Sequence, residues 1–143
     1  MSNVLYTNVR ILDGTGEHPY IGEVLVQGNR IRRVARGSRA VPMNGNTVID
    51  GAGATFMPGL CDAHTHLSWN NAPSLEALIN LPPEEHTLYA ADVAKIYLDH
   101  GYTMCVGAAA AKPRLDVVIR NAINKGQIPG PRYLANWPES TTI

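Results

Sequence analysis

His64 and His66, in the run Met57-Pro58-Gly59-Leu60-Cys61-Asp62-Ala63-His64-Thr65-His66-Leu67, are the residues of this chain with the clearest capacity for chemistry. An extended strand repeats every two residues, so both imidazoles leave one face and their ring nitrogens can converge on a single metal ion. A divalent metal held this way lowers the pKa of bound water from 15.7 to about 7 and polarises a carbonyl, which is hydrolytic chemistry at neutral pH. A catalytic zinc normally has three protein ligands and an open position. His64 and His66 are therefore too few by themselves, and the remaining ligands and the general base are expected elsewhere. Cys61 has the opposite parity and turns to the other face of the strand. Asp62 shares the histidine face, nearer the start of the strand, where it would orient the ligands or brace the strand.

The elements that must position this pair change character along the chain. The first fifty residues alternate β-branched runs with turn residues and predict a small antiparallel sheet, with strands near Val4–Leu12, Gly22–Gln27, Arg30–Ala35 and Thr47–Asp50. Gln27-Gly28-Asn29-Arg30 is a hairpin signal, because Gly and Asn tolerate positive φ. Asp13-Gly14-Thr15-Gly16 has no following Gly-Lys-Ser/Thr and reads as a connecting loop. Beyond Pro58 the order becomes strand, helix, strand, helix, strand, the pattern of a parallel α/β array. Cys61–Leu67 is its first strand, followed by a short Ser74–Asn80 helix. A longer helix opens at Pro82-Pro83-Glu84-Glu85 and stops at Gly101. Tyr102–Val106 is the second strand. Pro113 opens a helix with the apolar stripe Leu115, Val118, Ile119, Ala122 and Ile123, ended by Gly126, and Arg132–Trp137 is the third strand.

The Pro58-Gly59 turn, Asp62, His64 and His66 resemble the Pro-Gly-x-x-Asp-x-His-x-His signature of the amidohydrolase superfamily. His100-Gly101-Tyr102-Thr103 and Gly126-Gln127-Ile128-Pro129-Gly130-Pro131-Arg132 extend the likeness along the chain. The combination is most similar to the imidazolonepropionase-like branch, with its metal-dependent prolidases and aryl-amide hydrolases. Where that branch carries Arg-Asp, this chain has Val106-Gly107. The resemblance implies residues 1–53 in a β-sandwich and residues 54–143 as the first three βα units of a (β/α)8 TIM barrel. It also implies one or two divalent ions, zinc foremost, a small amide-type substrate, and hydrolysis of an amide or related C–N bond. Deamination or decarboxylation by the same metal site is the alternative chemistry, and a non-catalytic assembly protein the alternative class. In the family the other ligands are a carbamylated lysine or carboxylate, two histidines and an aspartate on later strands.

A complete barrel of this kind takes about 250 residues, whereas this chain has 143. A second polypeptide, separately encoded or produced by cleavage, is therefore expected to complete barrel and sandwich within a higher oligomer. At the C-terminal ends of the strands, where barrels keep their active sites, Trp69 and Trp137 are the candidate pocket residues. His18, His86 and His100 are expected at the surface. Cys61 and Cys105 are expected as reduced thiols in buried strands. The formal net charge of zero gives no field for nucleic acid. No apolar run approaches the ~20 residues of a membrane span, and the amino terminus lacks the apolar stretch of a signal peptide, so a cytoplasmic location is expected.

Overall fold

The computed structural model describes residues 3–69 and 72–136. They form two compact units, divided after Pro58. The boundary expected at residue 53 moves because Thr55–Phe56 forms a short strand paired with the first strand of the chain.

The first unit is a five-stranded sheet of β1 (Asn3–Ile11), β2 (Tyr20–Gln27), β3 (Arg30–Arg36), β4 (Thr47–Asp50) and β5 (Thr55–Phe56), in the order β3-β2-β1-β4 with β5 beside β1. The hairpin stands where expected, with Gly28 at φ 60°. The sheet is mixed rather than antiparallel, since β4 and β5 both run parallel to β1. Alternation of side chains reports which face a residue occupies and says nothing of strand direction. Val9, Ile11 and Val24 are the buried centre of one face. The loop after β3 is held by Glu23, which is 2% exposed. Its carboxylate accepts hydrogen bonds from the backbone N–H groups of Arg39, Ala40 and Val41 at 2.7, 3.0 and 2.9 Å.

The second unit begins at the Pro58-Gly59 turn and is a three-stranded parallel sheet, β6 (Leu60–Thr65), β7 (Tyr102–Gly107) and β8 (Arg132–Leu134), in sequence order. A 3-10 turn at Leu67–Trp69 and helices α1 (Leu75–Asn80) and α2 (Pro83–Asp99) connect β6 to β7, and α3 (Leu115–Asn124) connects β7 to β8. The helix ends follow their signals except at the start of α3, expected at Pro113 but found at Leu115, after Arg114 at φ 64° and with no side-chain cap. Ser74 caps α1, accepting from the Ala77 N–H at 3.2 Å. Pro83 fills the first position of α2, where no N–H is needed. At the end of α3, Gly126 at φ 69° lets its own N–H reach Ile123 O and that of Gln127 reach Ala122 O, both at 2.9 Å, a Schellman closure.

Leu67, Ala90, Ala94, Cys105, Ile119 and Tyr133 are the core of this unit. Of the stripe expected on α3, Leu115 and Ile119 are buried while Val118 is 43% exposed. Cys105 is buried as expected, but Cys61 is exposed, because β6 is an edge strand among the described residues and its outward face has no cover there. Within the core the Tyr133 hydroxyl donates to Asp116 Oδ2 at 2.6 Å. Burial pushes the Asp116 carboxyl above its ordinary range, against the lowering effect of the Tyr133 and Ser68 hydroxyls and of His66 and His86. Burial likewise raises the Tyr133 phenol, with the Asp116 carboxylate adding to it.

Glycine is required at the start of β6 for space. A Cβ on Gly59 would lie 2.1 Å from Thr103 Oγ1 and 2.7 Å from Thr103 Cβ on β7. Gly59→Ala is expected to cost about 1–3 kcal/mol, read as a lower urea midpoint with unchanged slope; an unchanged midpoint would contradict the close approach. Asp116 predicts a pH effect. A carboxyl whose folded pKa is raised makes the native state bind the extra proton, so stability falls as pH rises from the unfolded value through the folded one. Asp116→Asn should flatten that fall and raise stability at neutral pH. Parallel stability–pH profiles for the two proteins would contradict it.

Candidate metal site at the end of strand β6

The chain leaves the sheet ladder where the histidines lie. The register of β6 on β7 is interrupted between Asp62 and Thr65, which frees the His64 N–H from a regular ladder partner. Asp62 Oδ1 accepts it at 3.0 Å. Asp62 therefore braces the backbone of His64, and its other oxygen accepts from the Tyr97 hydroxyl at 3.4 Å. Burial raises the Tyr97 phenol, and the negative charge of Asp62 adds to the effect.

The two imidazoles converge. His64 Nε2 and His66 Nε2 lie 3.2 Å apart, with ring centroids at 5.0 Å and planes at 75°. Two nitrogens each about 2.0–2.1 Å from one zinc ion would show this separation at a ligand–metal–ligand angle near ~100°, so the pair fits a shared ion. The same distance also suits an N–H···N bond between neutral rings. His66 Nδ1 stands 3.2 Å from Ala109 O. A carbonyl can only accept, so the proton sits on Nδ1 and Nε2 keeps its lone pair, which is the tautomer a metal needs. Among the described residues no group of three or more His, Cys, Asp or Glu is arranged to hold a metal.

The short alanine run after β7 is a clasp on this segment. Ala108 N donates to Thr65 O at 2.9 Å, Ala109 O faces His66 Nδ1, and Ala111 N donates to Ser68 Oγ at 2.9 Å. Asn136 Nδ2, just beyond β8, donates to Ala108 O at 2.9 Å. Thr65 Oγ1 adds a bond to Val106 O at 2.9 Å. Gly107 precedes the clasp. A Cβ there would lie 2.5 Å from the Tyr133 hydroxyl and 3.1 Å from Asn136 N, so glycine at this position leaves the space that Tyr133 occupies.

Of the aromatic candidates, Trp69 is 37% exposed, its ring 4.5 Å from that of His66 and tilted by 40°; Trp137 lies outside the described residues. His18 and His100 are exposed as expected, with His100 Nδ1 facing Ile96 O at 2.8 Å. His86 is a correction, for it is fully buried, its Nε2 against Ser68 O. Sequence spacing held the signal: His86 falls at i in the series completed by Ala90 and Ala94, both fully buried on the same face of α2. Asp116 was missed in the same way, three residues ahead of the buried Ile119.

Solved structures share this fold. An amidohydrolase is 26% identical with a TM-score of 0.78, over 95% of this chain and 32% of that one. A Xaa-Pro dipeptidase with methionine bound in its active site is 25% identical with a TM-score of 0.80, over 95% and 33%. Phenylurea hydrolase B is 26% identical with a TM-score of 0.76, over 92% and 30%. A curated relative, the 5'-deoxyadenosine deaminase of Methanothermobacter thermautotrophicus, is 42% identical over 66 residues, 46% of this chain and 14% of the deaminase. The chain thus spans about a third of the length of these structures and less of the deaminase. The amidohydrolase family model matches residues 55–140, taking in β6, both histidines, β7, α3 and β8, and the chain belongs to that family.

Proposed function

We propose that this chain contributes the first two metal ligands, His64 and His66, to a hydrolase acting on an amide or related C–N bond. The observation that carries the reading is the convergence of the two Nε2 atoms at 3.2 Å with the His66 proton committed to Ala109 O. Bound there, a divalent ion, zinc foremost, would supply a water acidic enough to be hydroxide near neutral pH. The chain's own residues aim and shield. Asp62 holds the His64 backbone, the alanine clasp holds His66, and Trp69 offers an apolar wall beside the histidines for part of the substrate.

β6, β7 and β8 are, in this reading, the opening strands of a (β/α)8 barrel, and the sheet of the first unit is part of a β-sandwich. The remaining ligands and the general base come from further polypeptide that completes both. Support comes from the fraction of the related structures that this chain spans and from exposed apolar residues, including Ile79 and Leu88 at 70% and Leu134 at 49%. At about 25 cal/mol per Å² of apolar area, covering them would contribute several kcal/mol. No helix of the described residues is long and apolar enough to cross a membrane.

A second reading, deamination, is favoured by the 42% identity to a 5'-deoxyadenosine deaminase over 66 residues. Both reactions deliver metal-activated water to carbon, and they differ in the group that leaves. Assay of the assembled enzyme on amide and aminopurine substrates separates them, since deamination of the purine releases ammonia.

Activity of the assembled enzyme is expected to disappear with a chelator and return with added divalent metal. His64→Ala or His66→Ala should lower kcat/KM by a thousandfold or more, equivalent to about 4 kcal/mol of transition-state stabilisation. Acid should release the metal, because protonated imidazole cannot ligate. Full activity in either variant, or indifference to chelation, would end this reading.

A further inference from the structure

His86 is a buried imidazole outside the pair described above, and its surroundings give it a specific task. It sits in the first turn of α2, whose start is set by Pro83, and its own N–H bonds to Pro82 O at 2.9 Å. Its side chain is fully buried, as is Ser68, whose carbonyl oxygen its Nε2 meets. Because a carbonyl only accepts, Nε2 carries the proton. Nδ1 is left as an acceptor without a hydrogen-bond partner among the described residues. A polar ring kept in a core with one nitrogen unpaired is held there for the contact its other nitrogen makes.

That contact fixes the turn containing Ser68, two residues beyond His66. Trp69 N bonds to His66 O at 3.1 Å, closing the turn onto the histidine. The Ser68 hydroxyl accepts from Ala111 N, while His66 Nδ1 faces Ala109 O on the same short loop. Rotation of the Ser68 peptide would therefore shift one end of the clasp relative to the other and alter the bond that sets the His66 tautomer. We propose that His86 is a positioning residue for His66, acting through the Ser68 carbonyl to hold the imidazole with its proton on Nδ1 and its Nε2 free. The proposal rests on the reading of His64 and His66 as metal ligands.

The test compares two amides in place of the ring, in the protein as it assembles in solution. The side-chain nitrogen of Gln reaches the position of Nε2, whereas that of Asn stops near Nδ1, so His86→Gln keeps the donor to Ser68 and His86→Asn loses it. Zn(II) affinity is measured by competition with a chromophoric chelator, and the His66 tautomer by long-range ¹H–¹⁵N correlation, at a temperature where circular dichroism shows all three proteins fully folded. His86→Asn should weaken zinc about 10–100-fold, the usual effect of removing a partner behind a ligand, and should give His66 a mixture of tautomers. His86→Gln should stay within about threefold of the parent and keep the Nδ1–H form. Equal zinc affinity and an unchanged His66 tautomer in His86→Asn would overturn the proposal. Failure of the parent to bind zinc would defeat the metal reading instead, and the tautomer comparison would then decide the role of His86. If His86→Asn does not fold, His86→Leu, which fills the site with no donor for the Ser68 carbonyl, takes its place with the same expected losses, and parent-like values there would overturn the proposal.

Discussion

Backbone hydrogen bonding at the end of β6 is the constraint on which the site depends. A strand inside a sheet has its N–H and C=O groups satisfied by neighbours, but the β6 ladder is interrupted between Asp62 and Thr65 and ends at Thr65, while Thr65, Leu67 and Ser68 are buried. Each freed group must find another partner or incur the cost of burial without one. The partners found are Asp62 Oδ1 for His64 N, Ala108 N for Thr65 O and His86 for Ser68 O. These are the contacts that aim the histidines, so satisfying the backbone and presenting the imidazoles are one problem with one solution.

Small residues make that solution possible. Gly59 lets β6 lie against Thr103, Gly107 admits the Tyr133 hydroxyl, and Ala90 and Ala94 bring α2 onto the core. Alanine from 108 to 111 lets a loop approach the histidine segment through its main chain. In each case the absent side-chain atoms are what the structure uses, and larger residues would separate the layers that carry His64, His66 and His86.

Much of this was legible beforehand, for identifiable reasons. The two-residue spacing pointed to the histidine pair, although His66 lies beyond the end of β6 and contacts outside the ladder aim the rings, and the bounds of α2 follow from Pro83 and Gly101, residues with restricted or unusual backbone preferences. The direction of β4 and β5 was not legible, because alternation carries no sign. Burial of His86 was hidden by its charged neighbours Glu84 and Glu85, although its four-residue spacing from Ala90 and Ala94 marked the inward face. The clasp was invisible to composition, since it works through backbone atoms that every residue possesses. Of the two pocket candidates equal in the sequence, Trp69 stands beside His66.

The central claim is that His64 and His66 share one ion through Nε2. The most direct measurement is anomalous diffraction at the zinc edge from crystals of the assembled protein grown with zinc. The account predicts one anomalous peak about 2.0–2.1 Å from both Nε2 atoms, with His66 Nδ1 still bonded to Ala109 O. Zinc bound elsewhere, or a density map in which the two rings are bonded to each other with no ion between them at saturating zinc, would contradict it.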